Sequence, residues 1–114
     1  MHELSIIKSI VGIAEEQAAK AGAAQVESIE LEIGELAGVE WRALDFAWEV
    51  GVQQSVLENA ERNIQRIPGE ARCSECETIF AMKQLFDPCP ECGSYFNEIL
   101  KGKELRVKAL TVDG

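Results

Sequence analysis

The chain reads as an α+β protein in which two helices pack on a small mixed sheet and a four-cysteine module is inserted between strands. Three observations predict this. Apolar residues recur at helical spacing over residues 4–21 and again over residues 40–54. They alternate at strand spacing around Ile29, Leu31 and Ile33 and again around Leu105, Val107 and Ala109. Between those strand patterns stand Cys73-Ser-Glu-Cys76 and Cys89-Pro-Glu-Cys92, which hold all the cysteines of the chain.

In the first helix Leu4, Ile7, Val11, Ala14, Ala18 and Ala21 recur at steps of three and four. Ile6, Ile10 and Ile13 widen this apolar surface, while Glu15, Glu16 and Lys20 mark a solvated face. Gly22 supplies the stop, since glycine enters the left-handed conformation after a helix with little strain. The helix then spans residues 4–21 and leaves Met1, His2 and Glu3 as a short exposed tail. A strand follows over residues 26–33, its apolar positions alternating with Glu30 and Glu32. Gly34 and Gly38 bracket a loop. The second helix, residues 40–54, sets Trp41, Leu44, Trp48 and Val52 on one side, and the two tryptophans, sharing a face, predict core packing.

Residues 62–67 form a short strand that Pro68-Gly69 brings to a turn or bulge. Residues 78–86 contribute Ile79, Phe80, Met82, Leu85 and Phe86 to a strand or hairpin over the cysteines. In the last strand Leu105, Val107 and Ala109 alternate before Leu110 and Val112 continue in the other phase, which predicts a bulge at Ala109-Leu110. The expected boundaries are 1–70 plus 100–114 for an α/β domain and 71–99 for the cysteine module.

Twelve residues separate the two CxxC pairs. Two thiolates spaced by two residues grip one metal from a tight turn whose backbone amides point at the sulfurs. A second such turn completes a tetrahedron, and four-cysteine sites of this kind are structural zinc sites. Cys73, Cys76, Cys89 and Cys92 are therefore expected to hold one Zn2+ per chain in a zinc-ribbon-like module. With few apolar residues, the module draws its folding free energy from metal binding, on the order of 10 kcal/mol or more. Two alternatives share the spacing: two disulfides in a secreted domain, or an iron site for electron transfer, which a red, reducible protein would reveal. Met1-His2-Glu3-Leu4 lacks a basic n-region and Glu15-Glu16 interrupts the apolar residues that follow, so the expected compartment is the cytoplasm.

The formal net charge is −9, with 11 basic residues against 20 acidic ones, and the segment 73–92 has one lysine and no arginine. Binding a phosphate backbone needs clustered Lys and Arg, so this composition argues against nucleic acid and favours a basic protein partner or a metal cation. No stretch approaches the ~20 apolar residues of a membrane helix. With one histidine and every cysteine committed to metal, no nucleophile–base pair is present, and no enzyme is expected.

That histidine, His2, adjoins the α-amino group. The Met1 amine, the deprotonated His2 amide nitrogen and the His2 imidazole can close chelate rings around one ion, and a planar nitrogen set suits Ni(II) or Cu(II). These are three donors. The Glu3 amide or a side-chain carboxylate is the nearest fourth.

Met1-His2-Glu3-Leu4-Ser5, then Leu31-Glu32-Ile33-Gly34-Glu35-Leu36, then Cys73-x-x-Cys76 with Cys89-Pro-x-Cys92-Gly93, resemble the HypA family in the same order over the whole chain. These are the nickel metallochaperones of hydrogenase maturation. The resemblance implies an α/β nickel-binding domain with a separate zinc domain, a cytoplasmic location, His2 as the essential nickel ligand, and zinc on the four cysteines. It also implies a GTPase partner, HypB, that cooperates in inserting nickel into the hydrogenase large-subunit precursor. Some members use the acidic residue that opens the second helix, here Glu40, so Met1, His2, Glu3 and Glu40 are the candidate nickel residues. A monomer or weak homodimer is expected. The alternative function is a zinc-ribbon protein-interaction module without a nickel role.

Overall fold

Helix α1 (Glu3–Lys20) buries Ile6, Ile7, Ile10, Ala14 and Ala18. Helix α2 (Trp41–Gly51) buries Leu44, Ala47 and Trp48 against it. These elements belong to a computed structural model that describes residues 3–112. Met1 and His2, both candidate nickel residues, lie outside the described residues. The strands are β1 (Val26–Gly34), β2 (Glu61–Ile67), β3 (Glu70–Cys73), β4 (Ile79–Ala81), β5 (Asn97–Lys101) and β6 (Leu105–Val112). They form two three-stranded sheets, ordered β2-β1-β6 and β4-β3-β5. The α+β class, with two helices, small sheets and a four-cysteine module, is the one expected. Among the described residues no helix is long and apolar enough to cross a membrane.

The chain divides into two compact units. Of the described residues the first comprises 3–31, 39–64 and 106–112; the second comprises Glu32–Gly38 and Gln65–Leu105 and contains all of residues 71–99.

In the first unit the helices approach closely at Gly51, where an added Cβ would stand 2.6 Å from Ile7 Cγ2. Trp48 lies in this core, and the Arg62 guanidinium stacks over its ring at 5.3 Å while pairing with Asp45 at 2.7 Å. The tryptophan spacing therefore serves packing. Several boundaries differ from expectation. Helix α1 begins at Glu3, so Glu3 is helical and not part of a tail. The buried stripe runs through Ile6, Ile7, Ile10, Ala14 and Ala18, leaving Leu4 and Ile13 over 40% exposed. Helix α2 begins one residue after Glu40 and ends at Gly51, not at Gln54, which takes φ 61 outside the helix. The half-buried positions of β6 are Val107, Leu110 and Val112, so the facing phase changes between 107 and 110.

In the second unit β3 pairs antiparallel with both β4 and β5, with a register shift between Glu70 and Ala71 against β5. The expected strand over 78–86 shrinks to Ile79–Ala81, because the chain turns at Gln84–Asp87. The core joins Ala71, Cys73, Phe80, Met82, Cys89 and, from the Gly34–Gly38 loop, Leu36. Gly69 and Gly102 make room for that leucine, and Gly34 closes against Gly102. A Cβ on Gly34 would stand 1.9 Å from Gly102 O, and one on Gly69 would stand 2.7 Å from Leu36 Cδ1. Gly102, at φ 115, has Gly69 Cα 2.7 Å from its own Cβ position. Only glycine fits at such contacts.

Candidate metal centre

Each CxxC pair folds into the same turn. Cys73 N–H donates to Thr78 O and Glu77 N–H returns to Cys73 O, both at 2.9 Å. In the second turn Cys89 N–H donates to Ser94 O and Gly93 N–H returns to Cys89 O, again both at 2.9 Å. Glu77 (φ 64) and Gly93 (φ 76) occupy the same left-handed position after the second cysteine of each pair. That position suits glycine and strains glutamate. The turns also aim amides at sulfur: the N–H groups of Glu75 and Cys76 point at Cys73 Sγ at 3.4 and 3.5 Å.

The four sulfurs converge, every pair within 4.8 Å. Cys73 and Cys92 stand 3.5 Å apart, and Cys76 and Cys89 3.6 Å. A tetrahedral ion with metal–sulfur bonds of ~2.3 Å requires sulfur edges of about 3.8 Å, so the donor set fits one such ion. Cys73 and Cys89 are buried whereas Cys76 and Cys92 are exposed.

Without an ion the thiols compete for charge. The Thr78 hydroxyl, 3.1 Å from Cys76 Sγ, is the first cause that draws the Cys76 thiol down to about 6, helped by the Thr78 backbone. Cys92 behaves oppositely: the Ser94 backbone hydrogen bond lowers it, but Cys73, burial, Cys76 and Cys89 together push it up to about 12. A bound dication would favour the thiolate form of all four. Thr78 and Asn97 escaped the sequence reading. Asn97 lies opposite Cys73 across β3 and β5, and its Nδ2 donates to Asp87 O and Ser94 O on either side of the second turn. A signal for the hydroxyl existed, since Thr78 and Ser94 each stand two residues after a pair's second cysteine.

Of the candidate nickel residues, Glu3 and Glu40 are described and lie together. Glu40 N–H donates to Glu3 Oε2 at 3.1 Å. The Glu40 carboxylate caps α2, accepting from Arg42 N–H at 3.3 Å and Ala43 N–H at 2.7 Å. A glutamate can cap in this way because the first N–H groups of a helix have no partner within it.

A converging four-thiolate cluster on an α+β scaffold defines a metal-handling protein. The family model for hydrogenase/urease nickel incorporation, metallochaperone, hypA matches residues 1–112. A hydrogenase maturation factor HypA from Parabacteroides distasonis is 56% identical over 112 residues, covering 98% of this chain and 97% of that one. One from Geobacter metallireducens is 42% identical over 113 residues, covering 99% of this chain and all of the relative. The solution structure of the Ni metallochaperone HypA from Helicobacter pylori superposes with a TM-score of 0.70 at 29% identity, covering 98% of this chain and 97% of that one. The chain belongs to the HypA family. It is a metallochaperone for nickel incorporation in hydrogenase maturation and not an enzyme.

Proposed function

We propose that the chain carries Ni(II) at its amino terminus and delivers it to the hydrogenase large-subunit precursor together with the GTPase HypB, in the cytoplasm. One Zn2+ on Cys73, Cys76, Cys89 and Cys92 keeps the second unit folded; the sulfur separations and the all-thiolate chemistry support this assignment. The meeting of Glu3 and Glu40 is the observation that supports the nickel site. His2 directly precedes Glu3 in the chain. In this reading the Met1 amine, the His2 amide nitrogen and the His2 imidazole supply nitrogen, and carboxylate lone pairs of Glu3 and Glu40 supply oxygen.

Nickel titration of the chain with a native, untagged amino terminus tests the site. A weak visible band should appear with Ni(II) and fade as falling pH protonates the imidazole and the amine. His2→Ala should lose the band and the tight site while keeping zinc and the fold, and acetylating the amino terminus should act alike. A His2→Ala variant that binds nickel as tightly as the parent overturns the assignment. Elemental analysis that finds iron in place of zinc overturns the other. Pull-down with the GTPase should succeed at low ionic strength and weaken as salt rises.

A further inference from the structure

Leu85 and Phe86 lie in a turn that Asp87 holds closed. Asp87 Oδ2 accepts the backbone N–H groups of Lys83 and Gln84, each at 3.0 Å, and Asp87 N–H donates to Gln84 O at 3.2 Å. In this turn Phe86 has φ 69, a left-handed conformation that a bulky side chain adopts only under strain. Among the described residues little packing offsets that strain, since Phe86 is 82% exposed.

A second apolar pair, Tyr95-Phe96, is 69% and 71% exposed. Asn97 joins the two stretches: its Nδ2 donates to Asp87 O at 3.2 Å, beside Phe86, and to Ser94 O at 3.1 Å, beside Tyr95. Among the described residues its Oδ1 is buried without a partner, so the two carbonyls orient the amide. The backbone next to Phe86 and that next to Tyr95 are thereby tied together beside the second cysteine turn. Exposed aromatic residues are frequent anchors of protein contacts. The neighbouring sequence is acidic: residues 72–98 carry Glu75, Glu77, Asp87, Glu91 and Glu98 against Lys83 and Arg72, the latter paired with Glu98.

We infer that Phe86, Tyr95 and Phe96 form a docking surface for a protein whose apolar pocket is rimmed by lysine and arginine. This inference rests on the partner reading above and assigns it a surface. The probes are the purified cognate hydrogenase large-subunit precursor and the cognate GTPase, titrated with the zinc-loaded parent chain and with Phe86→Gly and Phe96→Ser. Binding to one of the two probes should weaken about tenfold or more in each variant, with zinc content unchanged. Because glycine adopts φ 69 without strain, Phe86→Gly should melt no lower than the parent. Variants that bind both probes like the parent overturn the docking surface and leave the partner reading intact. A parent chain that binds neither probe overturns both. A clear fall in the melting temperature of Phe86→Gly shows that Phe86 packs for the chain itself and also refutes the inference. So does a parent dimer that either substitution dissolves, because the surface then serves a second copy.

Discussion

Replacing Gly34 by alanine tests how the second unit is closed. The new Cβ would stand 1.9 Å from Gly102 O, 2.1 Å from Gly102 C and 2.7 Å from Lys103 N. All three are backbone atoms, so no side-chain rotation relieves the contact. Reaching ordinary van der Waals distance requires the facing segments to part by about 1.5 Å. That movement breaks the bonds from Gly34 N–H to Glu104 O and from Leu36 N–H to Gly102 O, both 2.7 Å long. Each lost buried backbone bond costs roughly 1–3 kcal/mol, so with two lost Gly34→Ala should destabilise the protein by about 2–6 kcal/mol. Urea denaturation of zinc-loaded protein, followed by circular dichroism, measures this. Gly12→Ala is the control of opposite sign. Gly12 sits exposed inside α1 with open space around it, so alanine should add about 1 kcal/mol through helix propensity. A Gly34→Ala protein within roughly 0.5 kcal/mol of the parent refutes the close-packing argument, since the clash is several times larger than that.

Glu77→Gly should stabilise the metal module by about 1 kcal/mol, because glycine takes φ 64 without strain; chelator competition against the parent measures the gain. Thr78→Val removes the leading cause that holds Cys76 near 6, so in metal-free protein the pH midpoint of Cys76 alkylation should move upward. An unchanged midpoint disproves the role of the hydroxyl. Glu40→Ala should cost about 1 kcal/mol through loss of the α2 cap, whereas Glu40→Asp should retain most of it; thermal melts of both variants decide.

The two helices and β1 were legible because their apolar residues repeat over many turns or pleats. Strand β3 was not, since Glu70-Ala71-Arg72-Cys73 is too short to show a period and owes its order to partners far along the chain. The cysteine spacing announced the cluster without any structure. Leu36, in contrast, reads as a loop residue, and its place in the module core depends on Gly69 and Gly102 making room for it. Glu40 reads as the first helical residue because aspartate, serine and threonine are the commoner caps. The strain at Phe86 is invisible in the sequence, since nothing in Leu85-Phe86-Asp87 demands a left-handed backbone.

Two of the four sulfurs lie inside the module and two face water, which gives the centre a guarded hemisphere and an open one. A peroxide meets Cys76 and Cys92 first, and oxidising either to the sulfenic acid removes a ligand from the ion. Cys73 and Cys89 meanwhile lie embedded with Ala71, Phe80 and Met82. Oxidative release of the metal would then begin as a surface event, and because the metal holds the module folded, its loss would loosen the inner pair as well.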